Sequence, residues 1–183
     1  MPTSPPDPTT SIFAILPTSD ELQAIGEYYI RFSQMDAWLD LVIGKLLSID
    51  WPSAQSVTAN ANMRAKIDMI NSLLALRVQN LGKSENRSAF IEVMKQVSGI
   101  NDDRTFLAHG KYVLPLKPES GGYIVKSRAD QRYIHQRSEP LDAPALKSSA
   151  LHVKKATDLL MHLLETEFPG FNAPAYLALP RTS

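Results

Sequence analysis

An arginine and a histidine stand five positions apart in the stretch Ile100 to Gly110, which reads Ile-Asn-Asp-Asp-Arg-Thr-Phe-Leu-Ala-His-Gly. The guanidinium of Arg104 offers a planar fork of donors suited to a phosphate. Imidazole titrates near neutrality, so His109 can take or give a proton, a role worth roughly 10²–10⁴-fold in rate. Such a pair suits RNA cleavage without a metal: a proton leaves the 2′-hydroxyl while charge gathers on the phosphorane. One chain carries a single histidine in this motif, so a general acid and a general base together require two copies across a dimer interface. On an ideal helix, positions five apart point about 140° apart, so the two side chains line one cleft only if it lies between them. Gly110 would allow the last helical turn to unwind and release His109 toward Arg104.

Other residues are weaker candidates for chemistry. Asp36 interrupts an apolar helix stripe, which reads either as a core acid paired with a cation such as Arg104 or as a site carboxylate; the paired reading is preferred because an unpaired buried carboxylate is costly. His135, His152 and His162 lack the i, i+4 spacing of a ligand pair and there is no Cys, so neither a metal site nor a cofactor is expected. Phosphate-loop, dinucleotide and hydrolase-elbow motifs are absent. Residues 111–137 hold six Lys/Arg against Glu119 and Asp130. Within them Lys111, Lys126, Arg128 and Arg132 are candidates for nucleic-acid contact, against the plainer reading of a solvated hairpin. Tyr28 and Tyr29 read as core and interface aromatics rather than base-stacking platforms.

The elements that must hold these residues follow from periodicity. Pro2, Pro5, Pro6, Pro8 and Pro17 remove donors and fix φ, so residues 1–17 read as a mobile Pro-rich arm. Its apolar patch, Ile12, Phe13, Ile15 and Leu16, is suited to docking on the bundle or on a neighbour. Thr18 and Glu21 match a capping box. From there Leu22, Ile25, Tyr29, Phe32, Asp36, Leu39, Ile43 and Leu46 form a 3,4 stripe that Pro52 must end by Trp51. Met63, Ile67, Ile70 and Leu74 mark a second helix over about 62–80. Phe90 through Leu107 marks a third, starting near Ser84 and stopped by Gly110. Tyr112–Leu114, a Ser-Gly-Gly turn and Tyr123–Val125 predict a hairpin within about 111–137, with Arg132–His135 able to add a short strand. Asp142 and Pro144 open a last helix carrying Leu146, Val153, Ala156, Leu160 and Leu163, which ends at Pro169 and leaves an extended tail over 169–183.

The expected architecture is therefore mainly α: one domain over 18–168, an antiparallel four- to five-helix bundle with a small β-hairpin inserted before the last long helix. Apolar surface left over on so few helices favours a homodimer.

Arg104 followed by four residues and His109, with Asn101 three before the arginine and Ala108 and Gly110 flanking the histidine, resembles the signature of HEPN-superfamily domains. The likeness in layout covers roughly Thr18 to Phe168. It implies a helical bundle that dimerises, and an endoribonuclease that needs no metal, with Arg104 and His109 catalytic on the penultimate long helix and Asn101 in support; Asp36, from its place in the seam of the first helix, and Thr105, beside the arginine, are further supporting candidates read from the chain itself. Active family members often carry Asn, Asp or His directly after the arginine, where this chain has Thr105. The resemblance further implies RNA as substrate, a toxin–antitoxin or defence setting, and an antitoxin or other protein partner. The alternative is a catalytically inactive module of the same architecture that binds a partner protein, a nucleotide or RNA.

Composition bounds these readings. With 44% hydrophobic and 21% charged residues the chain is that of an ordinary globular protein, and its formal net charge of zero gives no overall pull on nucleic acid. Charge is uneven, however: residues 1–50 carry seven Asp/Glu and only Arg31 and Lys45 as cations. The lack of cysteine fits a reducing compartment, no apolar run approaches the roughly 18–20 residues of a membrane span, and no export leader is evident; a cytoplasmic protein without membrane attachment is expected.

Overall fold

The computed structural model describes residues 13–14, 16–81, 86–114, 122–129 and 134–168. The chain is mainly helical: α1 (Ser19–Leu47), α2 (Trp51–Thr58), α3 (Met63–Leu81), α4 (Arg87–His109) and α5 (Ala143–Glu167). Strand β1 (Phe13–Ala14) precedes α1, and β2 (Lys111–Leu114), β3 (Gly122–Ala129) and β4 (Ile134–Leu141) lie between α4 and α5. No helix among the described residues is long and apolar enough to cross a membrane. Residues 1–12 and 15 of the Pro-rich arm and the tail over 169–183 lie outside the described residues.

Local chemistry sets the helix ends. The Thr18 N–H donates to Glu21 Oε2 at 2.6 Å, and the Glu21 N–H to Thr18 Oγ1 at 3.4 Å, satisfying two of the free donors at the start of α1. At the other end Ser48 takes a left-handed conformation (φ 57°), and the Ile49 N–H reaches back to Gly44 O at 3.0 Å. The helix thus stops at Leu47, within the Trp51 limit, and Pro52 serves a further purpose. It lies in the first turn of α2, where a missing N–H costs nothing, while Asp50 caps that helix by accepting from the Ser53 N–H at 2.9 Å. A Cβ at Gly44 would stand 2.9 Å from Ala54 Cβ, so glycine lets α2 fold back closely on α1.

The stripe expected on α1 is displaced over its first half. The buried residues of α1 are Ala24, Tyr28, Met35, Trp38, Leu39, Leu41, Val42 and Ile43, among them Leu39 and Ile43 of the expected seam, whereas Leu22, placed in the same seam, is 54% exposed. A strict seven-residue pattern drifts by about 20° per heptad around a straight helix, so over a helix this long it cannot stay on one face. The shorter helices agree with expectation: Met63, Ile67, Ile70 and Leu74 of α3 and Leu146, Val153, Ala156, Leu160 and Leu163 of α5 are all buried.

The four strands form one antiparallel sheet in the order β1-β2-β3-β4. β3 and β4 pair over their whole lengths, from Gly122↔Leu141 to Ala129↔Ile134. Phe13 and Ala14, inside the Pro-rich arm whose apolar patch is suited to docking, pair with Leu114 and Val113. This covers the donors and acceptors that β2 would otherwise present at an open edge.

Two compact units divide the chain. The first takes residues 1–30 and 102–151, so the dividing points fall within α1, α4 and α5. Its buried side chains include Ala24 and Tyr28 of α1, Phe106 and Leu107 of α4, Ile124 of β3 and Leu146 of α5. The second takes residues 31–101 and 152–183, and its described elements are all helical. Its core is built on Met35, Leu39, Ile70, Phe90, Val97 and Leu160, all under 5% exposed. Among its described residues Lys66 of α3 is a buried cation, 5% exposed at the side chain: it donates to Asp36 Oδ2 at 2.9 Å and forms an ion pair with Asp40 Oδ1 at 2.7 Å.

Candidate functional site

Within the first unit, α4 stays helical through His109, and the Gly110 N–H still donates to Phe106 O at 2.8 Å. The last turn is therefore wound, without the unwinding that a glycine at Gly110 permits. The reason for glycine here is close packing: an added Cβ would collide with the Ile124 side chain and sit 2.8 Å from Phe106 O. The Tyr112 hydroxyl, donating to Leu107 O at 3.3 Å, ties the start of β2 to the same turn. On this continuous helix Arg104 and His109 point about 140° apart.

Their surroundings differ. His109 is exposed in the final turn, where a cation is favoured by the helix dipole. Arg104 is half-buried among groups from α1. Tyr28 is buried and meets Tyr29 edge-to-face, ring centroids 5.9 Å apart at 90°. Burial pushes the Tyr28 phenol well above its ordinary range; the charges of Asp103 and Tyr29 push the same way and the Arg104 guanidinium opposes them. Burial likewise raises Tyr29, again against the pull of Arg104, and raises Tyr112, with Tyr29 adding to it. Arg104 thus lies in the electrostatic reach of two phenols that stay protonated at any ordinary pH.

The supporting residues separate. Asp36 belongs to the second unit, where the cation bonded to its carboxylate is Lys66, not the Arg104 considered from sequence. Sequence reasoning missed Lys66, yet a signal was present: it follows Met63 by three and precedes Ile70 by four, on the buried stripe, with Asp36 and Asp40 one turn apart on α1. Asn101 and Thr105 are half-buried on α4. Of the basic candidates, Arg132 lies outside the described residues, and Lys111, Lys126 and Arg128 are placed by strand register alone. That register sets Lys111 opposite Val125, Lys126 opposite Arg137 and Arg128 opposite His135. Arg137 and His135 thereby join the basic positions, a cross-strand grouping that spacing along the sequence does not reveal.

The second unit also contains a groove of about 410 Å³ between α3 and α4, floored by Ile67, Leu74, Ile91 and Met94. Two of the cations lining it are engaged locally: Arg64 donates to Ser98 at 3.3 Å and pairs with Asp68 at 3.6 Å, and Lys95 pairs with Glu92 at 3.4 Å. Among the described residues no group of three or more His, Cys, Asp or Glu could hold a metal ion.

No protein family, curated protein or solved structure matches the chain.

Proposed function

We propose that the chain is a HEPN-like domain that works as a cytoplasmic homodimer and cleaves RNA without a metal, in a toxin or defence setting where a protein partner restrains it. The observation that carries this reading is the exposed His109 ending the helix that also holds a half-buried Arg104. Arg104, in the electrostatic reach of Tyr28 and Tyr29, grips the phosphate; His109 moves the proton. Because the two point about 140° apart, a single copy supplies them as flanks rather than as one face. The second copy closes the cleft and provides the second imidazole. Lys111, Lys126, Arg128 and Arg132 hold the RNA backbone beside it.

The intact last turn of α4 favours a second reading, a catalytically inactive module of the same architecture that binds a partner protein, a nucleotide or RNA. Incubating the protein and its His109→Ala variant with single-stranded RNA in the presence of a chelator separates the two. The ribonuclease reading expects cleavage that falls about 10²–10⁴-fold in the variant. Equal absence of cleavage in both proteins removes it and leaves the binding module.

A further inference from the structure

We propose that the outer end of the β3–β4 ribbon holds one unpaired strand of RNA by its phosphates, without reading its bases. β2 pairs with β3 only as far as Val125, through Lys111. Beyond that point β3 has β4 alone as its partner among the described residues, over Lys126↔Arg137, Ser127↔Gln136, Arg128↔His135 and Ala129↔Ile134.

Successive residues of a strand alternate between faces, and residues directly paired across strands share one. Register therefore places Lys126, Arg128, His135 and Arg137 on one face, and Ser127, Ala129, Ile134 and Gln136 on the other. Every basic position falls on the first face and none on the second. One step inward that face carries Ile124, which is buried, opposite the exposed Glu139. Glu139 is diagonal to Lys126 and offsets at most one of the cations. An apolar core cannot continue over such a face, because buried charge without a counter-charge is costly. The packing that Ile124 closes thus ends there, and the ribbon end is left to water or to an anion.

The position of this face ties it to the Arg104/His109 helix. A Cβ on Gly110 would collide with the Ile124 side chain, so the residue next inward from the cations abuts the one that follows His109. A strand held on the ribbon end therefore starts beside the end of α4. Lys111, opposite Val125 and two residues after His109, falls on the other face and belongs with the histidine rather than with the ribbon end.

The chemistry of the face selects the ligand. Its fixed charges, Lys126, Arg128 and Arg137, suit a polyanion. A rigid duplex winds successive phosphates around its axis and away from a short face, whereas a flexible unpaired strand can lay several against it. None of the eight positions is aromatic, so the face offers no platform on which bases stack, and phosphate contacts carry no sequence information. As the device that feeds RNA to Arg104 and His109, the ribbon end rests on the ribonuclease reading; as a binding surface it is tested apart from it.

Fluorescence anisotropy with a labelled single-stranded RNA is the test, in the whole chain carrying His109→Ala so that the probe survives, with circular dichroism to verify the fold. The plot of log affinity against log salt is expected to fall with a slope of at least about 2, from roughly 0.7 for each of the three Lys/Arg. Lys126→Gln, Arg128→Gln and Arg137→Gln combined should weaken binding about tenfold or more and remove about 2 from that slope. Lys155→Gln, on an exposed face of α5, should change neither. A duplex of the same sequence should bind more weakly than the single strand, and oligomers of uridine and of adenosine alike. A triple variant that keeps the parent affinity and slope, a duplex bound as tightly as the single strand, or a strong preference for one base overturns the proposal. Binding that responds as stated, with no cleavage by protein that retains His109, keeps the ribbon end and removes only the ribonuclease reading. Cleavage that depends on His109, with a triple variant that binds like its parent, keeps that reading and removes the ribbon end.

Discussion

The ammonium of Lys66 donates to the Asp36 carboxylate at 2.9 Å across the interior of the helical unit, with Asp40 closing the other side at 2.7 Å. Lys66 is almost fully withdrawn from water at 5% exposure, while Asp40 keeps 13% and Asp36 38%. Two acids on one helix thus share one cation on another, which turns a break in the apolar seam of α1 into a cross-helix tie.

Removing the cation should cost more than removing either acid. Lys66→Met leaves Asp40 enclosed without its counter-charge, and a loss of about 3 kcal/mol is expected. Asp36→Asn, at the wetter end, should cost less, since solvent already screens that carboxylate. Urea unfolding at neutral pH measures both. A Lys66→Met loss within about 0.5 kcal/mol, the range of an ordinary surface change, would show that the tie contributes nothing net.

The same pair explains what was legible in the sequence and what was not. Helix existence follows from periodicity, because Met63, Ile67, Ile70 and Leu74 lie on a short helix where little drift accumulates. On α1 the longer run defeats a fixed spacing, so Leu22 was placed inside and Ala24 overlooked. Asp36 was legible as an anomaly, but its partner was not, since a pairing across 30 residues depends on how helices pack. Pro52 shows a further limit: the same residue can end one helix or begin the next, and only Asp50, as a cap, tells which. In the candidate site the Arg104/His109 spacing was readable. The phenols of Tyr28 and Tyr29 beside Arg104 were not, for they come from a helix more than 70 residues earlier in the chain.

Gly110 is held by contact rather than by an unusual backbone angle. Gly110→Ala must displace Ile124 or Phe106 O, and overpacking of this kind costs about 1–3 kcal/mol. The thermal midpoint should fall accordingly. Hydrogen exchange should rise first at Tyr112 and its neighbours, because the strain falls where α4 hands over to β2. A variant as stable as wild type, with unchanged exchange there, would mean that the junction is loose and that His109 is free to move after all.

The tyrosines around Arg104 make stability depend on pH in a definite direction. Tyr28, Tyr29 and Tyr112 all have pKa values raised above the ordinary 10.0 in the folded protein, chiefly by burial. Above that value the unfolded chain releases protons that the folded one retains, so their contribution to stability is fully present below pH 10.0 and is lost as pH rises beyond it. Denaturant midpoints should therefore decline on the alkaline side. Phenolate absorbance should show Tyr28, Tyr29 and Tyr112 lagging behind the same titration in denaturant. Tyr28→Phe should remove one lagging group and flatten the alkaline decline. Arg104→Gln should act in the opposite sense, moving Tyr28 and Tyr29 further up, because the guanidinium favours their ionised forms. Native tyrosines that all titrate near pH 10.0, or that ignore Arg104→Gln, would place the guanidinium away from the phenols and undo the site built around it.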